Sequence, residues 1–255
     1  MIHCTIHGQG VPLVLFHGWG FDSHVWHFLL PLLQDRYRLY LVDLPGFGKT
    51  PPLPGLGCEQ ELSTWLLFKT ELLALLPQRV ALLGWSMGGL FATRLAYEEP
   101  ERVSHVIHVA SSPRFLKDSD WPGIEAQVFT EFYTKLASSQ QGVLDAFVQL
   151  QMRSMRLAPH SAHQYHATLV GLQTGLMVLS HWDLRCLLPQ LPMPVSYWWG
   201  RLDAIIPAKL FRVMTQRYPQ FSYQQFRKSA HMPFLSETQA FVTALDRFIK
   251  TGLMQ

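Results

Sequence analysis

Cysteine is scarce in this 255-residue chain, which carries only Cys4, Cys58 and Cys186. An odd, widely spaced set with no CxxC pair excludes a disulfide framework and points to a reducing compartment. Long apolar runs are missing as well. No segment reaches the roughly 18 apolar residues of a membrane span. The N-terminus has no basic lead followed by a signal-length apolar run, so the cytoplasm is the expected location. Charge is sparse, at 15% of residues with a formal net of +3. Basic residues gather in nothing larger than a short cluster such as Arg227-Lys228, with no aromatic-basic repeat beside it, so nucleic acid is not an expected partner. Repeats and low-complexity tracts are also missing.

What is present is apolar patterning. Nearly half the residues are hydrophobic, enough to bury a full core in a chain of this length. Strand-like runs fall at Leu13–Phe16, Leu39–Val42, Val80–Leu83 and Val103–Val109, separated by helical patterns at about 23–33, 59–76 and 87–98. The alternation resumes with a strand at Val195–Trp199, a helix at 207–217, a strand at Phe221–Phe226 and a helix at 237–250. Strands spaced by helix-length segments predict a mostly parallel, doubly wound sheet. Between the two halves, 112–183 keeps helical periodicity without strands: Val128, Phe129, Phe132, Tyr133 and Leu136, then Val143, Leu144, Phe147 and Val148. Ser111-Ser112-Pro113 and Trp121-Pro122-Gly123 frame it on one side, and Pro189, Pro192 and Pro194 on the other. The expected organisation is a core of 1–111 and 184–255 with a helical lid, 112–183, inserted in it.

Gly84-Trp85-Ser86-Met87-Gly88-Gly89 lies between a strand and a helical pattern. That is the context of a nucleophile elbow, a sharp turn that exposes a serine. Ser86 needs a base, and the chain order in such sites is Ser, then Asp or Glu, then His. Among 12 histidines, His231 alone follows residue 181, and it sits in a short loop between the last strand and the last helix. A solvated loop histidine is the competing reading. Asp203, in Gly200-Arg201-Leu202-Asp203, is the only acidic residue between Asp183 and Glu237. It would fix the imidazole tautomer; its competing role is a helix cap ahead of Pro207. The turn His17-Gly18-Trp19-Gly20 can aim the Trp19 amide at an oxyanion, with the Met87 amide as second donor. His17 itself reads as a structural hydrogen-bonder.

Two other signals are set aside. Gly46-Phe47-Gly48-Lys49-Thr50 imitates the end of a phosphate loop, but Asp43 stands where glycine is required and Pro51-Pro52 block the following helix. His160, His163 and His166 recur every third residue, yet no carboxylate occurs from Ala146 to Trp182. Metal ligation is therefore not expected, and no cofactor is called for.

Together these blocks resemble the α/β-hydrolase superfamily along almost the whole chain. More narrowly they are similar to the bacterial pimeloyl-[acyl-carrier protein] methyl ester carboxylesterases of biotin synthesis. His17-Gly18-Trp19-Gly20, Gly84-Trp85-Ser86-Met87-Gly88-Gly89 and Ala230-His231-Met232-Pro233-Phe234 are common in the superfamily. The narrower resemblance rests on the tryptophan beside the nucleophile, Val109-Ala110-Ser111-Ser112-Pro113 and Trp121-Pro122-Gly123-Ile124, with Val42-Asp43-Leu44-Pro45-Gly46-Phe47-Gly48 in support. It implies hydrolysis of a methyl ester on a carrier-bound pimeloyl chain, with methanol leaving. It also implies substrate contacts at Trp19, Ser86, Met87, Phe147, Val148, Gln149, Leu150, Gln151 and His231. The partner implied is an acidic acyl-carrier protein. Where the family carries arginines before the lid segment this chain has Gly142 and Ala146, leaving Arg153 and Arg156 as the candidate carrier contacts. Nothing in the sequence calls for more than a monomer. A broad short-acyl esterase, a carbon–carbon bond hydrolase and a ligand receptor reusing the fold stay open as alternatives. A dehalogenase or epoxide hydrolase would place Asp where Ser86 stands.

Overall fold

In a computed structural model, residues 1–53, 55–56, 61–151 and 166–252 are described. Cys58, Arg153, Arg156, His160 and His163 lie outside them. The chain runs β1 (Cys4–His7), β2 (Val11–Phe16), a 3-10 turn (Ser23–Leu29), α1 (Leu30–Leu33), β3 (Tyr37–Val42), α2 (Glu61–Leu75), β4 (Val80–Trp85), α3 (Met87–Glu98) and β5 (Val103–Val109). After β5 come α4 (Ala126–Ser138), α5 (Gln140–Gln151) and α6 (Leu169–His181). β6 (Val195–Gly200), α7 (Lys209–Arg217), β7 (Ser222–Phe226), α8 (Pro233–Ser236) and α9 (Thr238–Gly252) complete it.

The sheet order is β1-β3-β2-β4-β5-β6-β7. Every pairing is parallel except β1 with β3. The expected mostly parallel sheet is therefore present, with each sequence-read strand inside or within a residue or two of an observed one. β1 went unread: Cys4-Thr5-Ile6-His7 is short, half-polar and only partly buried, so it carries no apolar run. Strand side chains alternate between two cores, as a period of two requires. Val14, Phe16, Tyr40, Val42 and Leu82 face one core with α2, α3 and α7. Leu13, Leu15, Leu39, Leu41 and Leu83 face the other with the 3-10 turn and α9. Two buried faces explain why these strands read as continuous apolar runs.

The segment that imitates a phosphate loop does wrap an anion, but it is the chain's own. The buried Asp43 carboxylate accepts from the Ser23 and Lys49 amides, at 2.8 and 2.9 Å, and meets His3 Nδ1 at 2.9 Å. Burial alone would raise this carboxyl; the amide bonds outweigh it and hold the group below the usual range. Gly48 curls over it with φ +56°, and a Cβ there would stand 2.2 Å from the carboxylate.

The β5–β6 connection carries α4, α5 and α6 and returns to this same loop. Ala167 bridges Phe47, Gly48 N–H donates to His166 O at 2.7 Å, and Thr168 N–H donates to Gly46 O at 2.9 Å. Gly46 and Gly171 meet backbone to backbone, and a Cβ on either would stand 2.3 Å from the other. At its other end, Arg185 and Arg114 bind Asp183 and Asp118, and Arg185 and Arg217 reach Asp120. Arg185 and Arg217 also lie 5.4 and 5.9 Å from the Trp121 ring centre. No described helix is long and apolar enough to cross a membrane.

Candidate active site

Strand order reverses at β2, which lies between β3 and β4. In open parallel sheets ligands gather at the carboxyl ends of strands beside such a reversal. The register pairs Phe16 with Gly84, so the turn after β2 and the turn after β4 emerge side by side. Glycines make this proximity possible. A Cβ on Gly88 would stand 2.5 Å from Phe16 O, and one on Gly84 would stand 2.4 Å from Gly88 O.

Ser86 occupies the sharp turn from β4 to α3 with φ 54° and ψ −119°. Positive φ in a non-glycine residue is strained by about 1–3 kcal/mol and persists where surroundings over-determine it. Here Ser86 N–H donates to Val109 O at 2.8 Å, and Ser111 Oγ donates to Ser86 O at 2.7 Å. Trp199 Nε1 in turn holds Ser111 O at 2.9 Å. Met87 is the first residue of α3, so its amide has no acceptor within the helix.

The carboxyl ends of β6 and β7 deliver the other two groups. Asp203 Oδ2 accepts from His231 Nδ1 at 2.8 Å, with both side chains at most 2% exposed. Asp203 Oδ1 accepts from the Ile205 and Ile206 amides at 2.8 and 3.1 Å. These two amides belong to a turn: α7 has Ala208 at its N-cap with no side-chain cap bond, so Asp203 fixes the turn and the histidine and caps no helix. With Nδ1 donating, the lone pair of His231 lies on Nε2, which is buried and has no hydrogen-bond partner. Trp85 Nε1 donates to His231 O at 2.9 Å, tying the histidine loop to the residue before Ser86.

His17 does not join this group. Its Nε2 accepts from Leu44 N–H at 2.9 Å, so the proton sits on Nδ1 and bonds Gly18 O at 2.8 Å. Burial lowers its pKa, keeping the ring neutral as a brace for the turn that carries Trp19. Trp19 is 1% exposed, and its Nε1 donates to Leu172 O on α6 at 2.9 Å.

Ser86 opens into a cavity of about 430 Å³, counted out to its mouth, whose wall is almost wholly apolar. Trp19, Phe115, Ile124, Val128, Phe129, Phe132, Phe147, Leu176, Leu179 and Ile205 line it. Phe147 meets the Trp19 ring edge-on at 4.9 Å. Of the other residues singled out on α5, Val148 packs toward the opposite core, Gln149 is exposed, Leu150 is half-buried and Gln151 is buried. None of these four is in the cavity wall. Apart from Trp19, Ser86 and Phe147, the wall residues are not singled out as contacts by the sequence, although Val128, Phe129 and Phe132 stand out there as helical periodicity. An apolar stripe that faces a cavity reads the same as one that faces a core. Among the described residues no group of three or more His, Cys, Asp or Glu is placed to hold a metal.

The α/β hydrolase fold family matches residues 11–238. A pimeloyl-[acyl-carrier protein] methyl ester esterase of Legionella pneumophila (strain Lens) is 47% identical over 249 residues, 98% of this chain and 99% of that protein. One of Aeromonas hydrophila is 40% identical over 95% of this chain and 96% of its own. Among solved structures, an esterase from Exiguobacterium antarcticum superposes with a TM-score of 0.85 at 23% identity, covering 98% and 95% of the two chains. A bromoperoxidase from Bacillus anthracis gives 0.85 at 24% identity with the same coverage. At those identities the structural likeness concerns the fold. The chain belongs to the α/β hydrolase fold family and, within it, to the pimeloyl-[acyl-carrier protein] methyl ester esterases.

Proposed function

We propose that this esterase hydrolyses the methyl ester of a pimeloyl chain carried on acyl-carrier protein, releasing methanol in biotin synthesis, with Ser86, His231 and Asp203 as its catalytic triad. The observation that carries the mechanism is the Asp203–His231 bond of 2.8 Å, which leaves His231 Nε2 buried and unpartnered on a loop that Trp85, the residue before Ser86, holds by its indole N–H.

Ser86 Oγ attacks the ester carbonyl while His231 Nε2 accepts its proton. Charge develops on the carbonyl oxygen, where the Trp19 and Met87 amides donate. As the tetrahedral intermediate collapses, His231 returns the proton to the departing methoxide and methanol leaves. Water then repeats the sequence on the acyl-enzyme. Asp203 holds the proton-bearing Nδ1 face of the imidazole and stabilises the imidazolium, taking no proton itself.

The helical segment 112–183 acts as a lid whose apolar wall takes the methylene chain. Among the described residues no cation lines the cavity, so the carboxylate product gains no counter-charge from them and is released. The thioester to the carrier survives because it is held at the far end of the chain, away from Ser86. Arg153 and Arg156 remain candidate carrier contacts, and the cytoplasm is the compartment that fits this role.

One observation favours a second reading, a broad short-acyl esterase: among the described residues the wall offers no polar side chain other than Ser86 to recognise a distal group. Turnover of methyl pimeloyl-carrier protein, free dimethyl pimelate and p-nitrophenyl butyrate under identical conditions separates the two. The carrier ester should give the highest kcat/KM, and Ser86→Ala should abolish fluorophosphonate labelling and all three activities. Equal kcat/KM for carrier-bound and free esters would favour the broad reading. Ester turnover that survives Ser86→Ala would remove the triad.

A further inference from the structure

Cations that look scattered along the chain are gathered by the fold. From Leu184 to Ser236 the sequence holds seven Lys and Arg against one carboxylate, Asp203. Two of the seven, Arg185 and Arg217, are spent on Asp118, Asp120 and Asp183. The other five, Arg201, Lys209, Arg212, Arg227 and Lys228, are all exposed and make no ion pair among the described residues.

Their placement follows from the topology. β6 and β7 are parallel neighbours with Gly200 opposite Phe226, so Arg201 and Arg227 are the next residues out at the same sheet end. Arg201 Nε donates to Arg227 O at 3.1 Å, which fixes them side by side. Asp203 and His231 emerge from these same two strand ends. α7 begins from that end as well, with Lys209 as its first residue and no acid in its first turn. Lys209 and Arg212 are three apart and share a helix face. A cation in the first turn opposes the helix dipole and costs some stability, so this choice is not made for the helix. The two nearby carboxylates are engaged. Glu237 accepts from Lys228 N–H and Ser229 Oγ, and Asp203 is committed to His231 and two amides.

We propose that these five cations form a docking face for the acidic carrier protein, set on the core beside the triad loops and separate from the lid. The inference rests on the carrier-ester reading above. An acyl chain must enter from a protein held near the mouth of the site, and complementary charge there raises the rate of productive encounter. No exposed aromatic accompanies the five cations, which separates this face from a nucleic-acid platform.

The test uses the full chain and two double variants, Lys209→Glu/Arg212→Glu and Arg227→Glu/Lys228→Glu. Arg201 is left intact because it braces the β7 loop. Rates are measured with methyl pimeloyl-carrier protein and with dimethyl pimelate, from low to about 0.5 M salt, where screening is nearly complete at these distances. Each variant should lower kcat/KM for the carrier ester about tenfold at low salt while holding dimethyl pimelate within about twofold. The wild-type carrier rate should fall with salt, and the variant rates should fall less. Carrier rates that match wild type, or that fall only in step with dimethyl pimelate, would overturn the proposed face. So would a response confined to an Arg153→Glu/Arg156→Glu variant, which would put docking on the lid. A wild-type enzyme that prefers dimethyl pimelate at every salt concentration would instead overturn the carrier reading itself, and the face with it.

Discussion

Gly175→Ala tests how tightly α6 is geared to the proposed chemistry. Gly175 lies on α6, where a new Cβ would stand 2.6 Å from Trp19 Cδ1 and 3.1 Å from Met87 Sδ. Ordinary contact begins at 3.4 Å, so the indole must give by about 0.8 Å. It has little room to do so. Its Nε1 is bonded to Leu172 O, Phe147 abuts it at 4.9 Å and it is 1% exposed. Two effects oppose each other. Replacing a helical glycine by alanine gains up to about 1 kcal/mol in propensity, whereas overpacking a filled site costs about 1–3 kcal/mol. Overpacking should win by about 1 kcal/mol, lowering Tm by a few degrees. The larger effect falls on rate, because the residue displaced is the proposed source of an oxyanion amide. A misplacement of this size should cost about 10- to 100-fold in kcat. The assay is p-nitrophenyl acetate hydrolysis beside a thermal melt, since a two-carbon acyl group makes little use of the lid wall. A raised Tm with unchanged kcat would refute the argument, because the indole would then have moved freely.

Trp85→Phe removes the donor to His231 O, leaving a buried carbonyl unpaired at about 1–3 kcal/mol. kcat should fall for short and long esters alike with KM nearly unchanged, and a melting shift without loss of kcat would make Trp85 a packing residue only. Arg185→Met leaves Asp118 and Asp183 to Arg114 alone and Asp120 to Arg217 alone, and loosens the strap that carries Phe115 and Ile124. The carboxylates are partly exposed, so stability should drop by only about 1 kcal/mol, and KM should rise more for pimeloyl than for acetyl esters; equal changes would show the strap does not shape the cavity. Burial depresses His108 to a pKa of about 3, well below an unfolded histidine. Its contribution is therefore present above about pH 6.5 and is lost as pH falls toward 3, at about 1.4 kcal/mol per pH unit. Urea midpoints between pH 7 and 5 should fall less steeply in His108→Asn than in wild type, and parallel slopes would contradict the buried neutral ring.

The elbow and the paired Asp203 and His231 were legible as candidates because each depends on chain order and on a strand end, both of which are written locally. Ser86 follows a four-residue apolar run, Asp203 stands alone among acids, and His231 stands alone among late histidines. The cavity wall was not legible. Phe115 and Ile205 come from segments without periodicity, and Val128, Phe129 and Phe132 pattern as any core-facing helix would. The hydrogen bonds from Trp19, Trp85 and Trp199 to main-chain carbonyls were equally hidden. An indole donor leaves no trace in sequence beyond its apolar ring. The cations of β6, β7 and α7 were visible singly, but gathering them needed the sheet register.

The backbone contact between Gly46 and Gly171 bears on how relatives of this enzyme can be recombined. Neither position tolerates a side chain, because each glycine fills the space the other would need. Residues 166–171 are also stitched to 46–48 through main-chain bonds that no side-chain change can retune. A chimera that imports another enzyme's helical segment between β5 and β6 therefore inherits a joint whose matching half lies some 120 positions earlier in the chain. Such a graft should seat only when the donor's 43–51 loop travels with it, so the unit of exchange here is two distant segments rather than one contiguous insertion.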